Sequence, residues 1–206
     1  MTTACAVTLG IALALYLAAG LLFQGQFLLR KNSWDAPGRK SLGLGLAVHL
    51  AGMILHLALS GQSPFTSMLV IISWLVVSLV IASLLAERYL HVRHLGLLSA
   101  PLAFLGLLYP LLMPIRFERA ESILVEYPFL GVHVVLTLLG HVGFALAFCA
   151  AVVYLVQHQA LKKGQLNRYL PALDTTGEAA FRFAGAGFSL FTLGLGMGVI
   201  WLFGAP

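Results

Sequence analysis

Apolar runs near the ~20 residues that a helix needs to cross a bilayer recur along the whole of this chain. They fall at about 5–29, 41–60, 67–86, 95–114, 129–156 and 184–203. Of the 206 residues, 60% are hydrophobic and only 9% are Asp, Glu, Lys or Arg. A soluble domain carries roughly 25% charged residues, so too little charge is present to coat a water-facing surface. A soluble enzyme, a disordered tail and a secreted disulfide scaffold are excluded. The expected fold is all-α: a polytopic transmembrane helical bundle of about six spans, forming a single integral membrane domain over residues 1–206.

The net charge of +5 and the pI near 9.5 do not point to nucleic acid. Lys and Arg sit in short clusters between apolar runs, as topology determinants do. The first, third and fifth connections hold Arg30, Lys31, Arg39, Lys40, Arg88, Arg93, Lys162, Lys163, Arg168 and Arg182. The second and fourth hold only Arg116 and Arg119, beside Glu118, Glu121 and Glu126. That bias predicts both termini outside a bacterial cytoplasmic (inner) membrane. The flank Met1-Thr-Thr-Ala lacks a basic residue while Arg30 and Lys31 follow the first run, so this run reads as an uncleaved span. Cys5 and Cys149 lie inside apolar runs with no CxxC, as buried hydrophobes do.

Two expectations concern helix shape. In the fourth span, Pro101, Pro110 and Pro114 would kink or end the helix unless neighbours satisfy the freed carbonyls. In the last, Gly194, Gly196 and Gly198, with Gly185 and Gly187 before them, let a neighbouring helix approach closely. The long inner connection 157–183, with Gln165-Leu-Asn-Arg-Tyr-Leu-Pro, is expected to lie along the interface.

Histidine is almost the only ionisable residue inside the spans, and a polar ring in hydrocarbon marks a functional interior. His49 and His56 share the second span, only ~20° apart around the helix; His133 and His141 share the fifth, ~80° apart. His56 and His133 each lie ~6 Å below the outer end of their spans, while His49 and His141 lie at ~16 and ~18 Å. Imidazoles at matched depths on two helices are what an axial pair for haem iron requires. The two levels are only ~10–12 Å apart, which favours one haem over two. The alternatives are histidines that hydrogen-bond to backbone or water between helices, and an ion or proton path, for which no intramembrane Asp or Glu speaks. His91 and His94 read as an interfacial cluster at lipid headgroups, and His158 as a boundary residue.

The fifth span, Gly131-Val-His-Val-Val-Leu-Thr-Leu-Leu-Gly-His-Val-Gly-Phe-Ala running on to Tyr154-Leu-Val-Gln-His-Gln-Ala-Leu-Lys, resembles the cytochrome c assembly membrane-protein family. That family includes the CcsA/ResC haem-handling proteins and the HemX-like and YpjD-like proteins. Ile54-Leu-His-Leu-Ala with Ser63-Pro-Phe and Ser73-Trp-Leu downstream, and Gly187-Phe-Ser-Leu-Phe-Thr-Leu-Gly-Leu-Gly-Met-Gly-Val-Ile-Trp, are similar to further family segments. The resemblance implies a non-covalent haem b held by His56 and His133; on the depth argument the second pair, His49 and His141, serves as alternative ligands, a transfer route or packing. It also implies a role in cytochrome c biogenesis beside another assembly or haem-pathway membrane protein. His141 stands where CcsA-type members more often carry Tyr. The synthase members' Trp-Gly-x-x-Trp-x-Trp-Asp segment is not in this sequence, whose one Trp-Asp is Trp34-Asp35. Synthase activity by this chain alone is therefore not expected. The competing readings are a HemX-like regulatory or structural protein acting through partners, and a small transporter, for which no inverted repeat is evident.

Overall fold

The structure, a computed structural model, describes residues 3–29, 32–60, 68–90, 92, 94–112, 128–164 and 172–204. Six α-helices account for nearly all of them: α1 (Thr3–Leu29), α2 (Asp35–Ser60), α3 (Met68–Tyr89), α4 (Gly96–Leu112), α5 (Pro128–Lys162) and α6 (Leu173–Gly204). A 3₁₀ turn, Asn32–Trp34, joins α1 to α2. All but α4 are long and apolar enough to cross a membrane. With 17 residues, α4 reaches ~25 Å at 1.5 Å per residue. Residues 113–114 of the expected fourth span, like Gln165–Pro171, His91, Arg30, Lys31, Arg93, Arg116, Arg119 and Ser63-Pro-Phe, lie outside the described residues.

Helices α1 to α4 form a ring in which α1 packs on α2 and α4, and α3 on α4 and α2. Leu9, Ala12, Tyr16, Ala19 and Phe23 of α1 meet Leu42, Val76, Val80, Ala103 and Leu107 in its core. Helix α5 packs on the outside of α3 through Val142, Leu146, Cys149 and Ala150. The backbone of α6 lies beside α5 alone among the described residues.

Every described charged side chain gathers at one end: Asp35, Arg39, Lys40, Glu87, Arg88, Lys162, Lys163, Asp174, Glu178 and Arg182. This is the end expected to face inward. Asp35 and Arg39 pair there, and Glu87 accepts the Gly96 amide at 3.2 Å, capping the start of α4. The inner connection is shorter than expected, because α5 continues to Lys162 and α6 begins at Leu173. Gly164, at φ +69°, ends α5, with its amide on the Leu161 carbonyl at 2.9 Å.

The prolines do not break α4, which runs on through Pro101 and Pro110. Pro101 has no N–H for the carbonyl four residues earlier, Leu97. Gln24 of α1 donates its Nε2 to that carbonyl at 3.0 Å. An amide from α1 thus replaces the bond that α4 cannot make, which is how a membrane helix tolerates proline. Replacing Gln24 by Leu is expected to destabilise the fold by about 1–2 kcal/mol, because the buried carbonyl loses its donor. Pro101→Ala restores an N–H there and should cancel most of that loss. Thermal unfolding in detergent across the four-member cycle would expose an additive result, which would break the link.

Candidate functional site

The four span histidines share no common site; each is held by its own surroundings. His49 is fully buried inside the α1–α4 ring. Its Nδ1 shares a 3.2 Å hydrogen bond with the Tyr16 hydroxyl, and the rings meet edge to face at 5.8 Å. The close approach of α1 and α2 that allows this depends on Gly45, where a Cβ would lie 2.9 Å from the Tyr16 ring. His49 Nε2 and the Oγ of Ser73 are buried with no hydrogen-bond partner among the described residues. His56, one heptad further out on α2, is half-buried.

His133 is turned toward α6. Its Nδ1 meets the Gly194 carbonyl at 2.6 Å, and a Cβ on Gly198 would stand 2.7 Å from its Cε1. A carbonyl only accepts, so Nδ1 carries a proton, and in the neutral ring Nε2 then keeps its lone pair. His141 is exposed, and its Nδ1 likewise donates to the Thr137 carbonyl, at 2.7 Å. Phe191 of α6 meets this ring edge to face at 5.2 Å. Both α5 imidazoles are therefore fixed as Nδ1–H tautomers that leave Nε2 as the donor atom a metal takes.

The seam that positions them is glycine on both sides. A Cβ on Gly143 would fall 2.5 Å from Gly187 Cα, and one on Gly194 would fall 2.9 Å from the Thr137 amide. Side chains at these positions would drive the two backbones apart. Gly185 and Gly196, by contrast, face open space. The expectation of close packing therefore holds for Gly187, Gly194 and Gly198, which alternate with the outward-facing pair.

The structure does not bring His56 and His133 together. No Cα of α2 comes within 8 Å of α5 among the described residues, and α3 stands between them. Val142, which faces α3, is nine residues from His133, about half a turn of helix away. His49 and His141 are likewise apart, one inside the ring and one on the outer face of α5. Matched depth along two helices said nothing about which way each helix is rotated. His94, at φ 71°, shapes the start of α4 by accepting the Leu97 amide at 3.1 Å. His158 stacks on Tyr154 at 5.9 Å near the inner end.

Sequence reasoning missed Tyr16, which was legible as a lone hydroxyl in an apolar run. In protein labelled with ¹⁵N-histidine, His133 is expected to show a protonated Nδ1. The Gly198→Ala variant, which displaces the ring, should lose that signal; an unchanged spectrum would overturn the packing described.

The surroundings fit haem in their donor chemistry: neutral imidazoles with Nε2 lone pairs on apolar, phenyl-rich helices. No group of three or more His, Cys, Asp or Glu suited to a metal ion occurs among the described residues, and an iron already held by a porphyrin needs at most two such ligands. Residues 43–205, which include all four histidines, match the family described as cytochrome C assembly protein. Protein HemX of Brevibacillus brevis is 26% identical over 193 residues, covering 91% of this chain and 70% of that relative. No solved structure matches. With its apolar helices, its inner belt of charge and a match over most of its length, this membrane protein belongs to the cytochrome c assembly protein family.

Proposed function

We propose that the protein is a haem-handling component of cytochrome c biogenesis in the bacterial inner membrane, holding haem b non-covalently and passing it on through its span histidines. The observation that carries this reading is the tautomer of the α5 imidazoles. The carbonyl bond at Nδ1 holds each ring in place and, in the neutral ring, leaves Nε2 as the lone pair that an iron takes. His133 lies toward the end of α5 away from the charged belt, at a position that the family resemblance implies as a ligand. Gly194 orients the ring and Gly198 makes room for it. The apolar walls exclude water, which tunes the potential of bound iron. Haem supplies the iron chemistry when bound, and the chain's own contribution is ligation, orientation and exclusion of solvent.

His56 is the second ligand in this reading. Because α3 separates α2 from α5, a shared iron would require the α5–α6 hairpin to re-dock. The experiment is a visible spectrum of the detergent-purified protein, oxidised and dithionite-reduced, beside His133→Ala and His56→Ala. A Soret band and sharp reduced α and β bands are expected in the wild type, falling by more than half in His133→Ala. Loss in both single variants would place both residues on one iron. Protein that stays colourless after added haem would sink the proposal.

The long inner extensions of α5 and α6 favour a second reading, action through partner proteins, as the HemX-like alternative has it. Neutralising Lys162, Lys163 and Arg168 should then abolish the cellular phenotype while His56→Ala/His133→Ala leaves it intact. The reverse pattern would remove this reading.

A further inference from the structure

His141 is unusual among the four in being exposed at mid-membrane depth with its acceptor nitrogen uncommitted. Hydrocarbon cannot donate a hydrogen bond to Nε2, so lipid is a poor cover for this side chain. The surface around it is ordered. On α5, His141, Phe148 and Leu155 follow one another at seven-residue spacing; on α6, Phe181, Phe188, Leu195 and Leu202 do the same, all of them exposed. Seven residues leave ~20° between successive side chains, so each set forms one stripe along its helix. Phe191 reaches His141 at 5.2 Å and Phe144 at 5.9 Å, which puts the two stripes on the same side of the hairpin.

The α6 stripe begins outside its expected span. Gly143 opposes Gly187 and Tyr154 opposes Gly177, so Arg182 stands level with about Cys149 at the charged inner boundary. Phe181, 81% exposed, lies beside Arg182 outside the expected span 184–203. An exposed phenyl ring next to a charged side chain at the end of a span marks a contact.

We propose that this face is covered by a second copy of the chain, with one haem sandwiched between the two copies and ligated axially by His141 from each. The inference rests on the haem reading above. It names a site that needs a second imidazole, and none faces His141 among the described residues. A two-fold axis along the membrane normal carries each residue to the same depth in the other copy. It therefore supplies the opposing Nε2, and it sets two phenyl-lined faces on either side of a flat macrocycle. Without the iron the same symmetry opposes two acceptors, which do not pair. Iron between them turns that mismatch into a bond, so assembly of this dimer depends on haem.

Haemin titration of the full chain in detergent, read by light-scattering mass and by reduced visible spectrum, tests this. The wild type is expected to take up three haems per two chains, one at each His133 and one shared, to double in mass, and to show the sharp bands of a six-coordinate iron. His141→Ala should stay monomeric and bind one haem per chain, with the reduced bands per chain falling by about a third. His141→Met, which retains a ligand atom, should keep the dimer with shifted bands. Haem bound one per chain to a monomer, undiminished in His141→Ala and lost in His133→Ala, would overturn the dimeric site and leave the proposed function standing. A wild type that binds no haem would overturn both.

Discussion

The constraint on which the rest depends is that a bilayer offers no hydrogen bonds. Each polar group carried into the spans must find its partner within the protein. The structure answers this group by group. Gln24 serves the carbonyl that Pro101 orphans, Tyr16 meets His49, Ser83 and Ser99 meet each other at 2.8 Å, and the α5 histidines turn onto carbonyls. These bonds also choose how each helix is rotated about its axis. In a bundle whose apolar faces are nearly interchangeable, few other interactions can make that choice.

The second organising contact is the glycine seam of α5 and α6. Close backbone approach gives van der Waals contact where no hydrophobic driving force separates protein from lipid. It brings the Gly194 carbonyl within reach of His133, which a wider helix pair would not allow. Packing and ligand orientation therefore come from the same residues. The hairpin is attached to the rest of the fold mainly through α3, so its outer face remains a surface on which other molecules can act.

Much of this was legible in the sequence. The apolar runs marked all six helices, and the clustering of Lys and Arg foretold the charged end where Arg39, Arg88, Lys162 and Arg182 stand. The family was readable from the segments around His56, His133 and the last helix, and the match over residues 43–205 bears it out. What was not legible was the rotation of α2 and α5. Rise per residue predicts depth from sequence alone, which is why His56 and His133 could be placed at one level. It contains no information on whether two side chains face each other.

The sequence by itself determined that this chain is a helical membrane protein, how its helices are ordered, which end carries the charge, and which imidazoles lie in the membrane. Those follow from length, hydropathy and charge, which are properties of each segment alone. Only the tertiary structure decided that His49 belongs to Tyr16 inside the ring, that His133 belongs to α6, and that His141 stands on the outer face. Azimuth is set by contacts between segments: a glycine opposite a ring, a glutamine opposite a proline's orphaned carbonyl. No single segment encodes such a contact.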